Sequence, residues 1–229
     1  MSFVDLSFRV VGQSLPLDHG YALYAAVSRV LGPELHESNG IGIFAVRGLP
    51  VGDGLLRLDD HSRLMIRTHT DYIPKLLGLA GKQLDVDGHR FRIGVPVTCP
   101  IVPAARLVSR VVVIKLAEPR TGDRDSPGLV TPEAFLESLR KKLYDPPPAG
   151  LGLSREVEAA IPLRRSGPHA GEPTRRVLRI KDKKVVGYAV MLSGLTAEES
   201  VKVQEEGVGG RRHMGCGLFL PARNGEERS

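Results

Sequence analysis

Eleven residues near the C-terminal end, Gly207-Val208-Gly209-Gly210-Arg211-Arg212-His213-Met214-Gly215-Cys216-Gly217, hold five glycines, two arginines and a histidine. Glycine tolerates positive φ and lets the backbone come close to a ligand. Successive N–H groups of such a loop can therefore face phosphate oxygens while Arg211 and Arg212 supply charge. Gly207, Gly209, Gly210, Gly215, Arg211, Arg212 and His213 are accordingly candidate contacts to a polyanion, and a plain turn from helix to strand is the competing reading. No Gly-Lys-Ser/Thr closes the loop, as a Walker A motif would. It also follows a helix where a dinucleotide fingerprint follows a strand, which speaks against ATP and NAD. A second basic group comprises Arg164, Arg165, Arg175, Arg176, Arg179, Lys181, Lys183 and Lys184. Strand alternation turns Arg175, Arg179 and the turn lysines away from Leu178 and Ile180, giving one cationic hairpin edge. A solvated surface is the alternative there.

Proton transfer near neutral pH points to histidine, and the chain has seven. His213 shares the glycine loop with two arginines, a setting that suits phosphate contact. His69 precedes a predicted helix and His89 follows a predicted turn, and both read as ordinary polar positions. His19 stands at a helix N-terminus, where the dipole disfavours its protonated form. His61 and His169 lie in loops without a partner motif. His36 follows the first predicted helix, and a lone histidine in a loop is more often a surface or capping group, so the residue type alone does not settle its role.

The chain has 229 residues with 41% hydrophobic content, enough for one large domain or two small ones with their own cores. Thirty-two Lys and Arg against 26 Asp and Glu give a net charge of +6, which favours anionic partners. Aromatic residues are only 5%, with no Trp, which argues against a binder built mainly on stacked bases. Cys99 and Cys216 have no CxxC partner, so neither a zinc site nor a disulfide framework is expected, and no metal or cofactor is called for. No apolar run approaches the ~20 residues that cross a bilayer, and Asp5 and Arg9 open the chain where a leader would be basic and then apolar. A cytoplasmic protein without a membrane partner is the expectation.

These residues need elements to hold them. Val4, Leu6, Phe8 and Val10 alternate with Asp5, Ser7 and Arg9 and predict a half-buried strand. Asp18 can cap a helix whose stripe is Leu23, Ala26, Val27, Val30 and Leu31, with Gly32-Pro33 as its stop. Strands are expected over Ile41 to Arg47 and Arg63 to Arg67, separated by the turn-rich stretch Gly48 to Gly54. A second helix follows, capped by Thr70 or Asp71 and carrying Ile73, Leu76, Leu77 and Ala80. A hairpin then turns at Asp87-Gly88. Strand, helix, strand, strand, helix, strand is the ferredoxin-like pattern. The chain then begins again, with a strand over Leu107 to Leu116, a polar loop over Glu118 to Leu129, and a helix started by Thr131 and Pro132. Residues 145–173 read as irregular, with a short piece near Arg155 to Ile161. A strand pair surrounds Lys181 to Lys184, a capping box at Thr196 and Glu199 starts the last helix, and Leu218 to Leu220 closes the fold. The fold class is thus α+β, two tandem ferredoxin-like (RRM-like) domains over 1–95 and 104–222 with a C-terminal glycine-rich loop and a 223–229 tail.

The glycine loop followed by Leu218-Phe219-Leu220 resembles the signature loop of the repeat-associated mysterious protein (RAMP) superfamily, and in particular its CRISPR-associated endoribonucleases that cut precursor crRNA inside each repeat. Leu35-His36-Glu37 and Gly40-Ile41-Gly42-Ile43 are similar to the small subtype associated with myxobacterial type I systems. The resemblance implies a metal-independent cut, with a histidine near the end of the first helix as general acid or base; here that residue is His36. The 2′-OH of the upstream ribose would attack the adjacent phosphate, leaving a 2′,3′-cyclic phosphate and a 5′-OH. Some relatives add a tyrosine and a lysine; Tyr21 or Tyr24 could fill the first role, and Arg29 and Arg47 are the nearest cations. The implied partners are CRISPR repeat RNA and mature crRNA, and the backbone and large subunits of an effector complex. A non-catalytic crRNA-binding subunit of the same superfamily is the alternative.

Overall fold

The computed structural model describes residues 2–32, 35, 40–114 and 130–222. The chain divides into two units, one of Met1–Ile101 with Arg212–Gly215 and one of Val102–Arg211 with Cys216–Ser229.

The first unit is built on β1 (Phe3–Gly12), flanked antiparallel by β6 (Arg63–His69) and β8 (His89–Pro100). With β3 (Ile41–Ile43) and β7 (Gln83–Val86) at its edges the sheet runs β3-β6-β1-β8-β7. Counting its helix-linked strands in chain order, this is the 4-1-3-2 arrangement of a ferredoxin-like sheet with β7 added. Leu6, Phe8 and Val10 alternate into the core, as expected, beside Leu64, Ile66, Phe91 and Ile93. Helix α1 (Gly20–Leu31) covers them with Leu23, Ala26 and Val27. Its N-cap is His19 and not Asp18, and the His19 side chain makes no capping bond.

Three elements differ from the sequence reading. The second helix is one short α turn, α2 (Ile73–Leu76), between 3₁₀ turns at Thr70–Tyr72 and Leu77–Leu79. Pro74 sits in the tolerant first turn, and Gly78 adds backbone freedom just beyond it, so a regular helix does not propagate. The cap contact comes from the His69 ring and not from Thr70 or Asp71. The stretch taken as turns forms a small sheet, β2 (Ser14–Pro16), β5 (Leu55–Arg57) and β4 (Leu49–Gly52), in the order β2-β5-β4. Asp53-Gly54, at φ 48° and 70°, makes the two-residue turn that a hairpin between right-twisted strands prefers. Finally, β3 stops at Ile43: Phe44 N–H still bonds the Met65 carbonyl of β6, but Val46 N–H turns to His19.

Beneath this sheet pattern lies an ion pair. Asp5 was expected on the polar face of β1, yet it is 6% exposed and stands opposite Arg67 of β6. The Arg67 guanidinium donates from Nε to Oδ1 and from a terminal nitrogen to Oδ2 of Asp5, both at 2.8 Å. Its carbon lies 5.1 Å from the centre of the Phe44 ring.

In the second unit β9 (Arg106–Val112), β10 (Glu158–Ala160), β12 (Lys183–Ser193) and β13 (Leu220–Pro221) run β10-β12-β9-β13, and β11 (Arg175–Ile180) also pairs with β12. The same 4-1-3-2 order is present. Helix α3 (Pro132–Tyr144) starts where expected, with Thr131 Oγ1 accepting from Ala134 N–H, and buries Phe135, Leu139 and Leu143. Helix α4 (Ala197–Glu206) has the expected capping box. The Glu199 carboxylate accepts from Thr196 N–H and also from Ser154 N–H, and these bonds hold it below the ordinary glutamate range. A register shift between β12 and β9 near Ala189 sends Leu107 and Val112 toward the helices but Val111 and Val113 toward Leu178 and Cys216.

Removing one partner of the buried pair leaves an uncompensated charge, so Arg67→Ala or Asp5→Ala is expected to lower stability by about 3–5 kcal/mol. An apolar pair, Arg67→Met with Asp5→Leu, should recover most of that loss in a denaturant titration.

Candidate functional site

The chemistry-bearing residues described in the first unit fall in two places, at the start of β1 and beside the first turns of α1. Helix α1 stops at Gly32, which has φ +94°, and Leu35 beyond it is buried. His36 lies outside the described residues. The chain is described again from Gly40, where an added β carbon would lie 3.5 Å from Tyr72 Cε2 and 3.9 Å from His69 Cβ. Four residues of the glycine loop, Arg212–Gly215, belong to this unit. Gly20 packs under the Met214 carbonyl, and Gly215, at φ +79°, lies against the backbone of Ile43 and Ala45. His213 stacks obliquely on Tyr24, with ring centres 5.6 Å apart and 33° between planes. Of the two tyrosines on α1, it is Tyr24 that meets a histidine of the loop.

His19 is a structural group. Its Nδ1 is 2.7 Å from the Pro16 carbonyl and its Nε2 accepts from Val46 N–H at 2.9 Å. Donation at one nitrogen and acceptance at the other fix a neutral tautomer, in line with its reading as a non-catalytic position.

The glycine loop spends much of its backbone on the fold. Gly207 N–H bonds to Val203, Val208 N–H to Gly217, Gly210 N–H to Val113, Gly215 N–H to Arg212, Cys216 N–H to Arg211, and Gly217 N–H to Val111. Those six amides are engaged within the fold. The glycines answer a packing demand: Gly207 ends α4 at φ 67°, and Gly209, at φ 81°, lies directly against the Val113 carbonyl. Charge in the loop remains with Arg211, which is exposed at φ 66°, and with the half-buried Arg212 and His213.

The second basic group is gathered on one hairpin of the second unit, with Arg175 and Arg179 on one face of β11 and Arg176 on the other, the face of Leu178. Arg175, Arg176 and Arg179 lie on β11, the turn carries Lys181, and β12 opens with Lys183 and Lys184. All are exposed, as is Arg165, while Arg164 is half-buried. Arg179 faces Lys184 across the hairpin. Arg164 donates to the Arg175 carbonyl at 3.0 Å, tying its loop to the strand. Arg110 of β9 is a member that the sequence did not announce. Arg176 is solvent-exposed, yet crowding by neighbouring protein, and then the positive charges of Arg110 and Arg164, push its guanidinium below the ordinary arginine value. It remains a cation at neutral pH. Like charges so placed favour an anion among them. Among the described residues, no three His, Cys, Asp or Glu side chains converge as metal ligands would.

Comparison with known proteins bears on this arrangement. The family model described as Cas6 Crispr matches residues 4–224. A CRISPR-associated endonuclease Cas6 from Myxococcus xanthus (strain DK1622) is 38% identical over 221 residues, covering 96% of this chain and 82% of that protein. Among solved structures, a Cas6-related protein from Pyrococcus furiosus superposes with a TM-score of 0.69 at 16% identity, over 97% of this chain and 99% of that one. A CRISPR associated protein Cas6 gives 0.62 at 16% identity, over 97% and 99%. At such identity these two likenesses speak to fold, and the fold is the tandem ferredoxin-like one.

The packing reading of the loop makes a specific forecast. Gly209→Ala meets both a positive φ and the Val113 carbonyl and should cost more than about 1 kcal/mol, whereas Gly210→Ala, with no atom within 4 Å of the new carbon, should cost less than about 0.5 kcal/mol in chemical denaturation.

Proposed function

The chain belongs to the Cas6 family, and from that premise we propose that it is an endoribonuclease that binds the stem-loop of a CRISPR repeat and cuts precursor crRNA into guide-length pieces. The geometric observation that supports an RNA partner is the crowding of Arg110, Arg164 and Arg176, on a hairpin that also carries Arg175, Arg179, Lys181, Lys183 and Lys184. The deep major groove of an A-form stem is closed to side chains, so such a surface holds the duplex by its phosphates and shape. Arg165, Arg211, Arg212 and His213 are proposed to extend the phosphate contacts.

Cleavage in this reading needs no metal. The upstream 2′-OH loses its proton and attacks the phosphorus, the P–O5′ bond breaks, and the departing oxygen takes up a proton. His36 is proposed as a proton-transfer residue, on the strength of its position after α1 in a chain of this family. An imidazole is suited to the task because both of its protonation states are populated near neutral pH. The hairpin contacts do not involve the broken bond. The protein is therefore proposed to stay on the processed guide and to enter an effector complex with backbone and large subunits.

The test is single-turnover cleavage of the cognate repeat RNA in EDTA. Wild type should cut once, His36→Ala should slow the cut by at least about 100-fold with binding unchanged, and 2′-deoxyribose before the scissile phosphate should abolish it. Tight binding without cutting would instead indicate a guide-holding subunit. Arg110→Ala and Arg176→Ala should each weaken binding across repeat sequences and reduce the slope of log affinity against log salt by about one. An unchanged slope would remove these arginines from the interface.

A further inference from the structure

Helix α4 turns one side to the sheet and the other to solvent, and its solvent side is not uniformly polar. Val203 packs with Leu107, Val112 and Tyr188 on one face of the sheet, while Leu178 and, two residues earlier on the same strand, Arg176 belong to the other face. On the outer side of α4, Glu198, Val201, Lys202 and Glu205 follow the spacing i, i+3, i+4, i+7. With Ala197 and Pro103 they line an open, mostly apolar groove of about 380 Å³. Val102, next to Pro103, is 57% exposed.

The second wall of this groove is held in place before any partner arrives. Gln204 Nε2 donates to the Val102 carbonyl at 3.0 Å, Ala104 N–H donates to Ser200 Oγ at 2.9 Å, and Leu195 N–H donates to the Ala105 carbonyl at 3.2 Å. Ser200 and Gln204 are both buried, so the inner side of α4 uses two polar side chains to fix the segment that carries Pro103. A wall fixed in this way loses little freedom on binding.

Charge separates the groove from the RNA-binding surface. Glu198 and Glu205 are seven residues apart, about 10 Å along the helix, with Lys202 between them. The lining is therefore net negative in a chain of net charge +6. Carboxylates at both ends repel phosphates, which excludes RNA as the occupant. A small metabolite needs polar groups that converge on it in an enclosed site, and this groove is open. Apolar surface between two carboxylates fits a protein segment that presents an aliphatic side chain with cationic groups on either side, about 10 Å apart.

Resting on the reading that the chain enters an effector complex, we propose that this groove docks a cationic segment of a protein subunit of that complex. Val201 and Pro103 receive the aliphatic side chain, and Glu198 and Glu205 face the flanking Lys or Arg. Because α4 covers the opposite face of the sheet from Arg176, RNA held by that arginine and the protein partner do not compete.

The probes are the purified backbone subunit and the purified large subunit, each titrated onto the chain carrying its processed repeat RNA and followed by sedimentation velocity. One of them should bind wild type with an affinity that falls as salt is raised. Val201→Glu, and separately Glu198→Lys combined with Glu205→Lys, should each weaken that binding at least about tenfold, with RNA affinity and repeat cutting within about twofold of wild type. The charge reversals alter solvent-facing positions, so they keep the test decisive should Val201→Glu fail to fold. Exchanging the partner's flanking Lys or Arg for Glu should recover binding to the reversed chain. Binding of both variants within about twofold of wild type would overturn the docking site while leaving the effector-complex reading intact. Self-association of the free chain that Val201→Glu abolishes would also overturn it, by making a second copy the occupant. Failure of wild type to bind either subunit would overturn the docking site and the effector-complex reading together, whereas failure to cut repeat RNA would overturn the ribonuclease reading alone.

Discussion

A guanidinium with almost no exposed surface has to be neutralised where it stands, and Arg67 meets that demand with Asp5, its register partner on the neighbouring strand. Both oxygens of the carboxylate are used, so the pair fixes orientation as well as charge. A slip of one residue between β1 and β6 would separate the partners and also turn Leu6 and Ile66 out of the core. Everything at that end of the sheet inherits this register: Phe3 opposite His69, Ile41 opposite Thr68, and the Gly40 turn beside Tyr72.

Charge is treated in opposite ways elsewhere in the molecule. The pair in the first sheet is dry and closed, and it serves the fold. On the second unit, Arg176 is exposed among other arginines, where solvent makes the repulsion tolerable. The glycine loop combines the two cases. Its backbone is consumed by hydrogen bonds that anchor it to β9 and to its own ends, while Arg211 stays exposed on a left-handed residue. Close backbone packing accounts for Gly209, Gly215 and Gly217 there.

What could be read in the chain was local. Alternation along Leu6, Phe8 and Val10, the stripe of α1, Thr131 ahead of Pro132, and the reciprocal Thr196 and Glu199 cap each depend on a few neighbouring residues, and all are present in the fold. The doubled strand and helix order was enough to give tandem ferredoxin-like units. Features that depend on distant partners were not legible. Asp5 looked like a surface residue because Arg67 is 62 positions away. Arg110 joins the basic surface only through the shifted pairing of β9 with β12. Gly48 to Gly54 looked like a turn-rich stretch because proline and glycine outweigh a short strand, although Asp53-Gly54 was itself a hairpin signal. Neither the burial of His69 nor the contact of its ring with Phe3 is written in spacing.

The central claim is that the chain breaks RNA by internal 2′-OH attack. Mass analysis of the upstream fragment, after reaction with repeat RNA in EDTA, tests it most directly. A terminal 2′,3′-cyclic phosphate on that fragment, paired with a 5′-hydroxyl on the downstream one, is the result the account requires. A 3′-hydroxyl with the phosphate retained on the downstream fragment would mean that water made the attack, and would contradict it.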